Sequence, residues 1–191
     1  MEHLLTADTW VFQFLQHWSS RYGWLDNIWA MSAVWLVYLI PAVLIAGWFW
    51  SAQTKRAAFK AGLAGIVAWR VFSKVLAHFV PRSRPGELLI GARELIFHRP
   101  DVSFPSDHAA AFFAAGLTLR LLGHRKLGNI LMLVGGFVSV ARVMAGVHYP
   151  LDVLAGAALG LVTALFIYWL RRPIDRFLSE PFINLMKKVG L

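Results

Sequence analysis

Long apolar runs, separated by short polar segments, set the pattern of this chain. A helix needs about 20 mainly apolar residues to cross the hydrocarbon layer of a bilayer, which is roughly 30 Å thick. Five runs are near or above that length, at residues 28–50, 57–80, 104–122, 127–147 and 151–170. They predict an all-α fold, a polytopic bundle of five transmembrane helices in a single domain that covers residues 1–191.

A shorter amphipathic segment precedes the first run. Within residues 6–18, helical spacing places Trp10, Phe14 and Trp18 on one face together with Val11. The segment is too short and too polar to cross a membrane, and it lacks the basic start and small-residue cleavage site of a signal peptide. We therefore expect an N-terminal helix that lies in the membrane interface.

The composition supports the membrane assignment. Of the 191 residues, 58% are hydrophobic and 15% are charged, whereas soluble domains are about 45–50% apolar and about 25% charged. The chain has no cysteine, which excludes disulfides and thiolate catalysis. The net charge of +9 does not indicate a nucleic-acid partner, because the basic residues lie at the ends of apolar runs and form no basic face.

The distribution of Lys and Arg predicts the orientation. Eleven of the nineteen lie on the side with segments 51–60, 120–126 and the C-terminal tail, five lie on the opposite side, and three fall within predicted spans. Positive residues favour the cytoplasmic side, so we expect a cytoplasmic C-terminus, with the N-terminus and the 81–103 loop outside. The five outer residues are Arg21, Arg82, Arg84, Arg93 and Arg99.

Three clusters of polar residues lie at the outer boundary that this topology defines. They are Arg82 and Arg84 before Pro85, the Pro-Ser-Asp-His segment 105–108, and Arg142 with His148 and Asp152. Ionisable residues at membrane depth are costly and mark functional sites. Because the topology rests on charge counts alone, the coincidence of all three clusters at one boundary predicts a site there.

The three clusters resemble, in order and spacing, the signature blocks of the type 2 phosphatidic acid phosphatase superfamily of membrane lipid phosphatases. The run Gly-Val-His-Tyr-Pro-Leu-Asp at 146–152 and the Pro-Ser-Asp-His form are most similar to its bacitracin-resistance branch, the bacterial undecaprenyl-diphosphate phosphatases. The resemblance covers about residues 70–160. It implies a hydrolase of the bacterial plasma membrane that converts undecaprenyl diphosphate to undecaprenyl phosphate as peptidoglycan precursors are recycled.

The resemblance implies a role for each block. Phosphoryl transfer depends on positioned positive charge, and arginine forks match phosphate oxygens, so Arg84 and Arg142 would hold the phosphate, with Arg82 as a further candidate. Ser106 would bind phosphate at a helix start, where free N–H groups favour anions. His108 would be the general acid that protonates the leaving oxygen.

The third block also supplies the implied nucleophile. His148 and Asp152 are four residues apart, so a helix that begins near Tyr149 places them on one face. By the resemblance, His148 attacks phosphorus and forms a phosphohistidine, while Asp152 orients the ring and stabilises its cationic form. We expect no cofactor and no metal; His78, His98 and His124 have no carboxylate at zinc-site spacing.

Two positions depart from the superfamily pattern. Its first block commonly has a lysine seven residues before the arginine of Arg-Pro, where this chain has Ala77. Lys74, three residues earlier, is either a phosphate ligand or a side chain that extends to the outer interface. At Asp107 the superfamily more often has glycine, and we expect Asp107 to tune the site without binding substrate.

Other functions are compatible with these motifs. A phosphatidylglycerophosphate or phosphatidate phosphatase would use the same residues. A non-catalytic transporter of lipid diphosphates would use the same arginines, although it has little need for two positioned histidines. The expected partners are the lipid diphosphate and membrane lipids, and the sequence does not determine the oligomeric state.

Overall fold

The protein is helical wherever the computed structural model describes regular structure, within residues 2–19, 22–97 and 100–189. The predicted all-α class is confirmed. Arg21, His98 and Arg99, which were named above, lie outside the described residues.

The helices follow one another with short connections, apart from the long loop before α5. They are α1 (Glu2–Ser19), α2 (Gly23–Trp50), α3 (Ala52–Phe79), α4 (Pro85–Leu88), α5 (Asp107–Leu121), α6 (Arg125–Met144), α7 (Pro150–Trp169), α8 (Arg171–Ile174) and α9 (Glu180–Lys188). A 3₁₀ turn interrupts α2 at Leu36–Tyr38, and a π-helical turn interrupts α3 at Val67–Phe72. A second π-helical turn, Asp175–Ser179, joins α8 to α9.

Four helices match four of the predicted spans. Within the described residues, α2, α3, α6 and α7 are long and apolar enough to cross a membrane. The fourth and fifth predicted spans differ from α6 and α7 by only one to three residues at each end. α1 covers the predicted segment 6–18 and extends it to Glu2–Ser19.

The third predicted span, 104–122, was too long at its start. The chain is still extended at Ser106 (φ −68°, ψ 113°), so α5 begins at Asp107 and has 15 residues. At 1.5 Å per residue this is about 22 Å of helix, shorter than the roughly 30 Å of hydrocarbon. Five crossings therefore remain a prediction.

α5 is the central helix, and small residues allow its neighbours to approach it closely. Its residues Ala109, Ala110, Ala114 and Ala115 are fully buried. On α7, a Cβ atom added to Gly156 would lie 2.4 Å from the backbone oxygen of Ser106, and one added to Gly160 would lie 2.4 Å from that of Ala110. Backbones this close favour van der Waals packing between helices in lipid.

α1 packs against the bundle with a polar and aromatic face. Asp8, Phe12 and Gln16 are buried on this face, while Trp10 and Phe14 are exposed on the other, with ring centroids 5.6 Å apart. The aromatic face found in the sequence is therefore the face that points away from the bundle. That arrangement suits a helix whose outer side contacts lipid headgroups.

The end of the bundle opposite to the site is held by ion pairs to the C-terminal segment. Lys60 is buried within α3 and pairs with Asp175. Arg56 pairs with Glu180 at 2.6 Å. These contacts fasten the segment after α7 to α3.

Candidate active site

The three predicted clusters meet at one end of the bundle. The N-terminal end of α5, the last turn of α6, the turn before α7 and the loop between α3 and α5 surround a cavity of about 300 Å³. Its polar wall consists of Arg84, Asp101, Asp107, His108, Arg142 and His148. Its apolar wall includes residues 33, 34, 37 and 38 of α2.

A second cavity, about 340 Å³, adjoins the first and is mostly apolar in lining. The two share Val37, Tyr38, Asp107 and His108, and the second extends to Pro41, Trp69 and Ala111. It therefore runs from the polar site along α2, α3 and α5.

His148 lies in the turn between α6 and α7, and that turn depends on Gly146. Gly146 has φ +83°, which favours glycine, and an added Cβ atom would lie 1.9 Å from the backbone oxygen of Arg93. The His148 side chain is 3% exposed and lines the cavity. Its Nδ1 lies 2.8 Å from the carbonyl oxygen of Ser103 and 3.8 Å from Oδ2 of Asp152.

These contacts define the protonation of His148. A carbonyl oxygen only accepts, so Nδ1 carries the hydrogen and Nε2 keeps its lone pair. Burial, with the charges of Arg142 and Arg84, lowers the pKa of His148 to about 4 against the raising effect of Asp152. The ring is therefore neutral at pH 7, and Nε2 is available as a nucleophile.

Asp152 is fully buried at the start of α7 and is held from two directions. Its Oδ2 accepts the Tyr149 N–H at 2.8 Å, and its Oδ1 accepts from Nη1 of Arg82 at 2.9 Å. The sequence placed Asp152 and His148 on one face, and the two side chains do approach each other. The Ser103 carbonyl, which the sequence did not single out, is the closer partner of the imidazole.

The three arginines have different surroundings. Arg84 is buried at the cavity wall, where Nη1 donates to the Val147 carbonyl at 2.6 Å and Nη2 to Asp101 at 2.6 Å. Arg142 also lines the cavity, with Nη1 3.5 Å from Nε2 of His108. Arg82 is not among the lining residues of this cavity; its guanidinium contacts two carboxylates and lies 3.7 Å above the Tyr149 ring.

Ser106 is the residue before the first turn of α5, rather than within it as expected. Its side chain is fully buried, and its hydroxyl has no hydrogen-bond partner in the protein. Its N–H donates to the carbonyl oxygen of Asp152 at 2.9 Å, which ties the second block to the third. Ser106 is not among the lining residues of the cavity, although its chain neighbours Pro105 and Asp107 are, and its ligand role stays a prediction.

Asp101 is a site residue that the sequence analysis missed. Its carboxylate lies between Arg84, at 2.6 Å, and Lys74, at 3.5 Å. Burial acts to raise the pKa of Asp101, but the hydrogen bond and charge of Arg84, with Lys74, outweigh it and leave the pKa below its usual value. Lys74 also lies 3.6 Å from Asp107, so it neutralises two carboxylates of the cavity wall.

The site includes aspartates and histidines, which are residue types that can bind a metal. Among the described residues, no group of three or more His, Cys, Asp or Glu side chains is arranged to hold an ion. His98 lies outside those residues, and the expectation of a metal-independent site stays a prediction.

Comparison with known proteins gives the class of this molecule. A family model described as the PAP2 superfamily matches residues 56–176. The bacitracin transport permease protein BcrC of Bacillus licheniformis is 31% identical over 158 residues, 83% of this chain and 77% of that protein. The undecaprenyl-diphosphatase BcrC of Bacillus subtilis (strain 168) is 27% identical over 183 residues, 94% of this chain and 89% of that protein.

A solved structure agrees with the family match. The fold is similar to that of a transmembrane PAP2 type phosphatidylglycerolphosphate phosphatase from Bacillus subtilis, with a TM-score of 0.65 at 22% identity over 93% of this chain and 90% of that one. The chain belongs to the PAP2 superfamily and is a multi-pass membrane lipid phosphatase. Within that class it is similar to the bacitracin-resistance undecaprenyl-diphosphatases, as its motifs predicted.

Proposed function

We propose that this protein hydrolyses undecaprenyl diphosphate to undecaprenyl phosphate and inorganic phosphate through a phosphohistidine on His148. The observation that carries the proposal is the neutral, buried His148 imidazole at a cavity that Arg84 and Arg142 also line. The names of the two relatives support the substrate, because one is an undecaprenyl-diphosphatase and both are BcrC proteins.

The proposed first step transfers the terminal phosphoryl group to His148. The Nε2 lone pair attacks phosphorus as the bond to the bridging oxygen breaks, and His108 gives its proton to the departing lipid phosphate. Arg84, Arg142 and the Ser106 hydroxyl stabilise the oxygens of the transferred group. Asp152, 3.8 Å from Nδ1, stabilises the cationic ring that results.

The second step restores the enzyme. Water attacks the phosphohistidine and loses a proton to His108, the P–N bond breaks, and its electron pair returns to Nε2. Inorganic phosphate leaves, and His148 is neutral again while His108 carries the proton for the next cycle. Lys74 and Asp107 take part indirectly, because Lys74 offsets the negative charge of Asp107 and Asp101 beside the substrate.

The apolar cavity along α2, α3 and α5 is the place for the first isoprenoid units of the tail. Its contact with His108 and Asp107 puts the tail next to the leaving oxygen. The Lys and Arg distribution supports five crossings with the site at the outer face of the bacterial plasma membrane and a cytoplasmic C-terminus.

The test is phosphate release by the purified protein from undecaprenyl diphosphate, phosphatidylglycerophosphate and phosphatidate, with rates compared. We expect the highest kcat/KM with the first lipid and a loss of about 10⁴-fold or more in His148→Ala. The His108→Ala and Arg142→Ala variants should also be inactive, and each should have the same unfolding temperature as the wild-type protein. A higher kcat/KM with either glycerolipid would show that undecaprenyl diphosphate is not the preferred substrate. Activity in His148→Ala would show that His148 is not the nucleophile.

A second candidate function is lipid-diphosphate transport without hydrolysis. The name of the Bacillus licheniformis relative, a bacitracin transport permease, favours a transport role, with bacitracin and not a lipid diphosphate as the cargo that it names. The two functions differ in one measurement on purified protein, since a carrier binds undecaprenyl diphosphate and releases no phosphate at saturating lipid. Turnover by wild-type protein that is lost in His148→Ala would exclude the carrier.

A further inference from the structure

Asp8 connects the surface helix α1 to the reaction site. Its side chain is 1% exposed, and its Oδ2 forms an ion pair with Nη2 of Arg82 at 2.7 Å. Its Oδ1 accepts the N–H of Leu151, in the first turn of α7, at 2.9 Å. A buried carboxylate is costly unless it is paired, so these two contacts hold α1 in one position against α7.

Arg82 pairs with Asp152 as well as with Asp8. Its Nη1 donates to Oδ1 of Asp152 at 2.9 Å, and its guanidinium lies over the Tyr149 ring. Phe12, one turn after Asp8, also packs against the Tyr149 ring, with centroids 5.4 Å apart. The side chains of Asp8, Arg82, Asp152 and His148 therefore form a continuous series from α1 to the proposed nucleophile.

The charges in this series do not cancel. Asp152 and Arg82 alone would form a neutral pair, but Arg82 is shared with Asp8, so two carboxylates and one guanidinium leave one net negative charge in a buried place. Low effective dielectric strengthens the influence of that charge on its neighbours. It lies beside His148, whose ring becomes cationic when it carries the phosphoryl group.

We infer that Asp8 is a positioning residue for the reaction, an inference that rests on the proposed function. By sharing Arg82, it leaves the negative charge of Asp152 available to the phosphorylated His148 ring, and through Leu151 it fixes the start of α7. α1 is then a part of the catalytic scaffold as well as a helix at the membrane surface.

Asp8→Asn is the informative variant, because the amide keeps the shape and the acceptor for Leu151 while it removes the charge. We expect kcat for undecaprenyl diphosphate to fall about tenfold with KM nearly unchanged, since Asp8 does not touch the substrate. Asp26→Asn is the matched control: Asp26 also pairs with an arginine, Arg93, but this side-chain pair includes none of Arg82, Asp152 and His148. Its kcat should equal that of wild type.

A double variant separates action through Arg82 from simple loosening of α1. In an Arg82→Gln background, Asp8→Asn should cause no further loss of kcat, because the connection is already broken. Additive losses would overturn the inference. Phe12→Leu, which loosens α1 without changing charge, should lower the unfolding temperature and leave kcat nearly intact; an equal kcat loss in Phe12→Leu would also overturn it.

The kcat measurements distinguish an error in the role of Asp8 from an error in the proposed function. An inactive His148→Ala together with wild-type kcat in Asp8→Asn overturns only the role of Asp8. An active His148→Ala overturns the nucleophile and the role of Asp8 together. We expect two results together: His148→Ala is inactive, and Asp8→Asn is folded, with a lower kcat and an unchanged KM.

Discussion

The protonation of a single imidazole is the residue-scale property on which the proposed chemistry depends. Burial, with Arg142 and Arg84, keeps the folded-state pKa of His148 at about 4, whereas a histidine in the unfolded chain has a pKa near 6.5. The folded protein therefore binds this proton less tightly than the unfolded chain does. His148 contributes stability above about pH 6.5, and that contribution is lost as the pH falls toward 4.

Nitrogen NMR on histidine-labelled protein can test this directly. We expect the Nε2 signal of His148 to remain that of an unprotonated nitrogen from pH 7 to about pH 5. The signal is assigned by its absence from His148→Ala. A titration midpoint between pH 6 and 7 in the folded protein would contradict the neutral, buried ring.

Lys74 is a second residue with a measurable role, because it offsets two carboxylates of the cavity wall. Its side chain is 43% exposed, so each ion pair is weak, and Lys74→Met should raise KM by about twofold to fivefold with little change in kcat. The increase should shrink at high salt, since exposed charges are screened. Lys126→Met, at the opposite end of the bundle, is the control. A large fall in kcat would instead make Lys74 a direct ligand of the reacting phosphate.

Residues in continuous motifs were found from sequence, and residues whose role depends on distant partners were not. His108, Arg142 and His148 were identified because each block is local, and the structure brings all three to one cavity. Asp101 was missed because its importance comes from Arg84 and Lys74, which are 17 and 27 residues away. Asp8 and Arg82 are even farther apart in the sequence, and no hydrophobic pattern predicts their ion pair.

At the scale of elements, close packing of α7 on α5 sets the position of the second block. Gly156→Ala would bring a Cβ atom to 2.4 Å from the Ser106 backbone oxygen, which cannot move without displacing the start of α5. We expect a loss of about 1–3 kcal/mol in stability and a clear loss of activity. The measurements are thermal unfolding in detergent and phosphate release.

Gly136→Ala is the matched control for that prediction. Gly136 is also helical, but an added Cβ atom there meets nothing within 4 Å. Alanine favours helix by up to about 1 kcal/mol over glycine, so this variant should be as stable as wild type or more stable, with normal activity. Equal effects of the two substitutions would contradict close packing as the cause.

The sequence predicted helix boundaries closely where hydrophobicity alone determines them. Apolar runs predicted α6 and α7 within one to three residues, because the lipid-facing and buried sides of these helices are both apolar. α5 was misjudged at its start because Phe104 and Pro105 are apolar too, yet the chain there is not helical and is held by backbone hydrogen bonds from Ser103 and Ser106. Such contacts depend on the neighbouring loop and on α7.

At the scale of the whole molecule, orientation in the membrane is the property that sequence predicts and packing does not reveal. The absence of cysteine makes the chain a ready background for labelling. Ile90→Cys, at a fully exposed loop position near the site, should react with a membrane-impermeant maleimide on intact cells. Lys126→Cys, at an exposed position in the first turn of α6 at the other end, should react only after permeabilisation. The reverse pattern would place the site in the cytoplasm.

The short length of α5 bears on the expected depth of the site, because α5 is one of the five predicted crossings. If α5, with about 22 Å of helix, crosses a hydrocarbon layer of roughly 30 Å, some non-helical chain must lie within the thickness of that layer. The segment before Asp107 meets the condition for this, because Ser103 and Ser106 are fully buried and their N–H groups donate to Arg82 and Asp152. We therefore expect His148 to lie within the membrane thickness, just below the lipid phosphates. A lipid diphosphate would then reach it by sideways diffusion, and the released phosphate would leave into water.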